Sequence, residues 1–183
     1  MRTPWIPAFA GMTRDAYTGA MNSISELREI LGTCRTIAVV GLSPQWHRPS
    51  FFAAKYMQAH GYRVVPVNPS APEILGETSY PSVTAAAQAL AAQGVKIDMV
   101  DCFRKTEDIG PIADEAIAIG ARCLWQQIGV VNEEAARKAR DAGLWTVMDR
   151  CVKIEHARLY GGLNWAGVNT RVISSRRPQQ LPY

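Results

Sequence analysis

A glycine closes each of five helix-like segments, at Gly32, Gly61, Gly94, Gly120 and Gly143, and an apolar run follows every one within a few residues. Glycine supplies the left-handed backbone on which helices end. The chain therefore reads as helix, stop and strand, five times over. Strands are expected at 36–41, 63–67, 97–103, 122–127 and 144–148. Helices are expected from Ser23 or Ser25 to Gly32, Pro49 to His60, Ser82 to Gly94, Thr106 to Ile119, and Asn132 to Gly143. Pro49 suits a first helical position because the N–H it lacks would have no partner there. Ser82 and Thr106 offer cap oxygens, and Glu107 and Asp108 place negative charge in a positive first turn. The run 36–41 is uncharged, as a parallel strand covered on both faces should be. Such alternation with short, right-handed crossovers predicts an α/β fold: a doubly wound parallel sheet of about five strands in a three-layer α/β/α arrangement.

That topology also predicts where a ligand sits. In an open parallel sheet the crevice lies beyond the carboxyl ends of the strands, where the winding direction reverses. The loops after Val40, Val67, Phe103 and Gln127 are thereby selected. The segment Asn68 to Pro81 is expected to be a proline- and glycine-rich loop. From Val152 onward no period is evident, and Tyr160 to Trp165 and the basic 171–177 stretch are expected to be a partly docked, then frayed, tail.

Composition narrows the class. Of 183 residues 48% are hydrophobic and 20% charged, which suits one globular domain. The net charge of +4 is spread through mixed-sign segments such as Glu133 to Lys138, so no basic stripe marks a nucleic-acid surface. Cys34, Cys102, Cys123 and Cys151 are far apart and form no CxxC pair, which argues against zinc and for reduced thiols in the cytoplasm. No run approaches the ~20 apolar residues of a membrane span. The first residues, through Thr13, hold a short apolar stretch broken by two prolines, unlike a secretory leader. Residues 1–20 are expected to be a disordered extension or the product of an upstream start codon. The folded domain is expected to cover 23–159, with 160–183 an irregular tail.

The loop after the first strand invites comparison with a dinucleotide fingerprint, which needs three glycines and an acidic residue after the second strand. Here Gly41 is followed by Ser43, where the second glycine belongs, and Asn68 stands in place of the acid. NAD in its usual pose is disfavoured. The longer path Leu42 to Arg48, with a hydroxyl, backbone donors and a cation, suits several phosphates. An ordinary strand-to-helix turn with a surface arginine accounts for the same letters equally well.

Six segments in order carry a resemblance: Val39 to Pro44, Arg48-Pro49-Ser50, Val65 to Pro69, Ile74-Leu75-Gly76, Val100 to Arg104 and Met148 to His156. Together they resemble the small stand-alone CoA-binding proteins, which are similar to the CoA-binding domain of succinyl-CoA synthetase, a Rossmann-like unit. The resemblance implies coenzyme A or an acyl-CoA as ligand. It implies that Gly41, Leu42, Ser43, Pro44, Arg48 and Ser50 receive phosphates and that Asn68 and Pro69 border the adenosine. By topology it places Cys102, Phe103, Arg104, Gln127, Ile128 and Gly129 along the pantetheine path. The synthetase's phosphorylated histidine lies in a further domain, so the ligase reaction does not carry over. A CoA carrier or sensor is the function implied.

Two other functions remain open on the letters alone. Cys151, Lys153, Glu155 and His156 group a thiol, a cation, a carboxylate and an imidazole, as a CoA-dependent transferase or thiol oxidoreductase would. The same residues also suit a structural clasp for the C-terminal segment. An NAD(P)-binding regulator is compatible with the fold and opposed by the missing glycines. His47 and His60 fit exposed or helix-end positions, Trp125 and Cys102 fit the core, and no cluster has metal-ligand spacing. Protein partners and oligomeric state leave no mark on the sequence.

Overall fold

The computed structural model describes residues 22–161; the expectations for residues 1–20 and for the chain beyond Gly161 lie outside the described residues. Helix α1 (Ile24–Thr33) leads into β1 (Thr36–Val40), α2 (Pro49–Ala59) and β2 (Arg63–Val67). A hairpin of two short strands, β3 (Glu73–Ile74) and β4 (Glu77–Thr78), precedes α3 (Val83–Ala91). Then follow β5 (Met99–Cys102), α4 (Ile109–Ala118), β6 (Cys123–Gln126), α5 (Glu133–Asp141), β7 (Trp145–Val147) and α6 (Val152–Tyr160). Five strands form one parallel sheet in the order β2-β1-β5-β6-β7. It is the three-layer, Rossmann-like α/β fold expected from the alternation.

Every residue of β1 is buried, and successive side chains serve opposite faces. Ala38 and Val40 join Val65, Val100 and Leu124 under α3, α4 and α5. Ile37 and Val39 join Val64, Met99 and Trp125 under α1, α2 and α6. The winding therefore reverses between β1 and β5, because α2 leaves β1 on one face while the connections through α3, α4 and α5 run over the other.

The strand cores match expectation; β2 has the expected bounds and the other four strands are shorter. β5 begins at Met99 because Asp98 turns aside, its carboxylate accepting the N–H groups of Arg35 and Thr36 at 2.8 and 2.9 Å. Ser23, Ser82 and Asn132 each accept a backbone N–H as helix caps. Thr106 does not. It opens a single 3₁₀ turn, Thr106–Asp108, and its Oγ1 accepts the Val131 N–H instead. The expected plain loop after β2 contains the β3–β4 hairpin, turned on Leu75 and Gly76 at φ of 58° and 76°, the two left-handed residues that a tight hairpin requires.

The larger correction concerns the segment from Val152, which is a helix rather than an aperiodic tail. Its buried positions are Val152, Glu155, His156 and Leu159, a helical stripe in which two of four letters are polar. Glu155 is 1% exposed and pairs with both Arg150 and Arg158. Removing a buried ion-pair partner leaves uncompensated charge. Glu155→Ala is expected to lower the unfolding free energy by about 3–5 kcal/mol, measured by urea denaturation.

Candidate functional site

The reversal point opens into a cavity of about 800 Å³ at the carboxyl ends of the strands, within the roughly 300–1,000 Å³ range of small-molecule sites. Its first wall is the turn after β1. Gly41 has φ 83°, and a Cβ there would lie 2.5 Å from the Phe103 carbonyl oxygen and 2.9 Å from Arg104 Cδ. Only glycine fits between the two strand ends. The Gly41 N–H donates to Val67 O at 2.9 Å, which ties the turn to β2 as well.

Beyond Gly41 the loop folds around its own hydroxyls. The Ser43 N–H donates to Ser50 Oγ at 3.1 Å, and the Gln45 N–H donates to Ser43 Oγ at 3.2 Å. Arg48 Nε donates to Gln45 Oε1 at 3.2 Å. Arg48 is also the residue at which α2 begins, so its guanidinium stands beside the positive end of an 11-residue helix with no acid in its first turn. Arg104 packs against the Gly41 turn and lines the same cavity, paired with Asp108 at 3.0 Å. Two cations and a helix N-terminus make this end suited to phosphate.

The opposite end is apolar. Phe103, Ile128, Val130 and Ile154 line it together with Gln127 and Cys151. The Gly129 N–H donates to Asp149 Oδ1 at 2.8 Å, fixing the turn after β6 against the start of α6. Beneath lies Asp101, 1% exposed, with Oδ1 accepting from Gln127 Nε2 at 2.7 Å and Oδ2 without a hydrogen-bond partner. Burial pushes this carboxyl up to about 7, against the pull of the Gln127 bond.

The residues singled out from the sequence divide into groups. Gly41, Ser43, Arg48, Ser50, Phe103, Arg104, Gln127 and Ile128 line the one cavity. Asn68 and Pro69 line a separate depression of about 260 Å³ beside β2. Asn68 is nonetheless tied to the first loop, its Nδ2 donating to Leu42 O at 2.8 Å and its Oδ1 accepting the Ser70 N–H. Leu42 is fully buried under α2, and Pro44 is exposed outside the lining. Cys102 is fully buried in the core on the α3–α5 side, where burial holds its thiol well above the ordinary range. Its sulfur does not meet the cavity.

Sequence reasoning missed Gln45, Pro49, Val130 and Ile154 as lining residues, and placed Cys151 in a catalytic pair rather than in this wall. It also passed over Asp101, although an acid between Val100 and Cys102 in an otherwise apolar strand was a visible anomaly. The Cys151–His156 pair is not formed. His156 Nδ1 bonds Tyr56 Oη at 3.2 Å, and its ring packs among Tyr56, His60, Tyr62 and Tyr160. Burial, then the nearby His60 and Arg35, lowers the imidazole from its usual range. Among the described residues no group of side chains could hold a metal ion, and no helix is long and apolar enough to cross a membrane.

A family model described as "CoA binding domain" matches residues 35–157. The chain belongs to this family. The CoA binding domain match begins just before β1 and ends within α6, so it spans every cavity-lining residue. An uncharacterized protein of Bacillus subtilis (strain 168), YneT, is 38% identical over 135 residues, 74% of this chain and 95% of that protein. A hypothetical protein from Pyrococcus horikoshii OT3 superposes with a TM-score of 0.70 at 40% identity, covering 76% of this chain and 94% of that one. A Thermus thermophilus protein, cell-free ID.343, does so at 0.65 and 31%, covering 76% and 100%. α1 precedes the CoA binding domain match and adds Leu27, Ile30 and Leu31 to the core.

Gly41→Ala forces a side chain against the Phe103 backbone and a positive φ. It is expected to cost about 1–3 kcal/mol, read as a lower denaturation midpoint. For Asp101 the folded pKa is raised, so its contribution to stability is fully present below about 4 and is lost as pH rises through about 7. Asp101→Asn is expected to flatten that decline in a series of urea titrations between those pH values.

Proposed function

We propose that the protein binds coenzyme A or an acyl-CoA in this cavity and acts as a carrier or sensor of it. The observation that carries the reading is one cavity with a cationic helix-start end and an apolar end, which matches a ligand with phosphates at one terminus and a thioalkyl arm at the other. Membership of the CoA binding domain family supports it.

In this reading the loop from Gly41 to Ser50 wraps the phosphates. Arg48 and the first turn of α2 supply positive charge, while Arg104 closes from the other strand. The Asn68–Pro69 depression borders the adenosine, joined to the loop by the Asn68–Leu42 bond. Phe103, Ile128, Val130 and Ile154 bury the pantetheine arm and exclude water from it. The three fully buried free thiols suit a reducing compartment, and we place the protein in the cytoplasm. The partner is a small molecule, and the CoA-binding unit acts as a single domain.

Isothermal titration of the ligand-free protein with CoA tests the reading, and absence of binding overturns it. Arg48→Ala is expected to weaken binding by about tenfold, the loss of one charge-assisted contact. NADH is expected not to displace CoA.

A further inference from the structure

Phe103, Ile128, Val130 and Ile154 share their cavity with two glutamines, Gln45 and Gln127, whose amides differ in what they have left to offer. Gln45 Oε1 is taken by Arg48 Nε at 3.2 Å. Gln126, next to Gln127 in the chain, is satisfied at both ends by the Asn132 backbone, Oε1 accepting the N–H at 2.7 Å and Nε2 donating to the carbonyl at 3.2 Å. Gln127 uses one end. Its Nε2 donates to Asp101 Oδ1 at 2.7 Å, and Oε1 accepts from no group among the described residues. The side chain is 4% exposed, yet Asp101 Oδ2 is the one fully buried side-chain polar atom without a partner among the described residues. Gln127 Oε1 therefore keeps a little surface, and the residue gives that surface to the cavity it lines.

Asp101 decides which end of the amide this is. It sits in β5 between Val39 of β1 and Trp125 of β6, in register with both, and is 1% exposed. Gln127 is the side chain that donates to it, and a buried carboxyl stripped of its donor is costly. Turning the amide over would set Oε1 against Oδ1 and remove that donor. A proton taken up by the acid goes to Oδ2, the oxygen with no donor, so Oδ1 goes on accepting in either charge state. Nε2 is held inward and the carbonyl outward. A fixed acceptor beside apolar lining is how a small-molecule site orients its ligand.

Resting on the CoA-binding reading, we propose that Gln127 Oε1 accepts an amide N–H of the ligand's arm, so that the site selects a peptide-like arm over one of plain hydrocarbon or ester, with Asp101 as the positioning residue that fixes the amide. Phe103, Ile128, Val130 and Ile154 take the arm's apolar atoms and are indifferent to an N–H among them. The discrimination falls to Gln127. An arm that lacks the N–H covers Oε1 and leaves it unpaired, and a site built to bond a polar group rejects the analogue without it.

The test is isothermal titration of the full chain with CoA and with analogues in which one amide N–H of the arm at a time is replaced by an ester oxygen, which keeps the length and shape and removes the donor. Wild type is expected to bind one analogue about three- to tenfold more weakly than CoA, the loss of one hydrogen bond. Gln127→Leu is expected to weaken CoA and bind it and that analogue equally. In Asp101→Asn the asparagine amide donates to Oε1 and turns Nε2 toward the cavity, so the preference for CoA is expected to vanish there too. Wild-type binding that is equal for CoA and every analogue overturns the proposal and leaves the binding reading standing, and this arm needs no variant to fold. A preference that survives Gln127→Leu overturns the assignment to this residue, and one that survives Asp101→Asn overturns the role of the acid. No binding of CoA itself overturns the binding reading and the proposal with it.

Discussion

The close approach of two strand ends sets the geometry of this molecule. β1 and β5 are hydrogen-bonded neighbours, yet the chain leaves β1 toward one face and reaches β5 from the other. The turn at Gly41 is pressed against the Phe103 carbonyl so tightly that a methyl group has no room. That contact fixes the Gly41–Ser50 loop relative to Arg104, and the bonds from Gly41 to Val67 and from Asn68 to Leu42 extend the frame to β2. Three strand ends are locked before any ligand enters, so little ordering remains to be done on binding.

The electrostatics follow from the same frame. α2 and α6 both start at the cavity, from Arg48 and Cys151, so two positive helix ends converge there with two guanidinium groups close by. Asp101 lies buried beneath them, and burial raises its carboxyl to about 7. Positive groups outnumber the acids around the Gly41–Ser50 loop, while Phe103, Ile128, Val130 and Ile154 add uncharged surface to the same cavity.

Where the sequence was legible, the physics was local. The glycine stops at Gly61, Gly94, Gly120 and Gly143, the uncharged β1 and the cap residues Ser23, Ser82 and Asn132 each act within a few residues of themselves, and each is where it was expected; Gly32 is the exception, lying inside α1, which runs on to Thr33 and caps on Cys34. Arg48 and the Gly41 turn were legible for the same reason. The misses arise where packing rather than local chemistry decides. In a strand buried on both faces the letters do not alternate, so nothing in Met99-Val100-Asp101-Cys102 shows that Cys102 turns toward α3–α5 while Asp101 turns toward α6. α6 hid for a related reason. Half of its buried stripe is Glu155 and His156, whose partners Arg150, Arg158 and Tyr56 become visible only in three dimensions. The two-residue strands β3 and β4 are too short to leave a periodic trace.

Trp125 draws these parts together. Its indole is fully buried in β6 beside Asp101, and Nε1 donates at 2.7 Å to the carbonyl of Arg150, the residue that also grips Glu155. A shift of the α6 wall against the sheet must lengthen or bend that one bond. The fluorescence of a buried indole depends on its hydrogen bond and on the charges around it, so the fold carries an optical gauge of its own cavity wall, set at the back of the site where no ligand can quench it by contact.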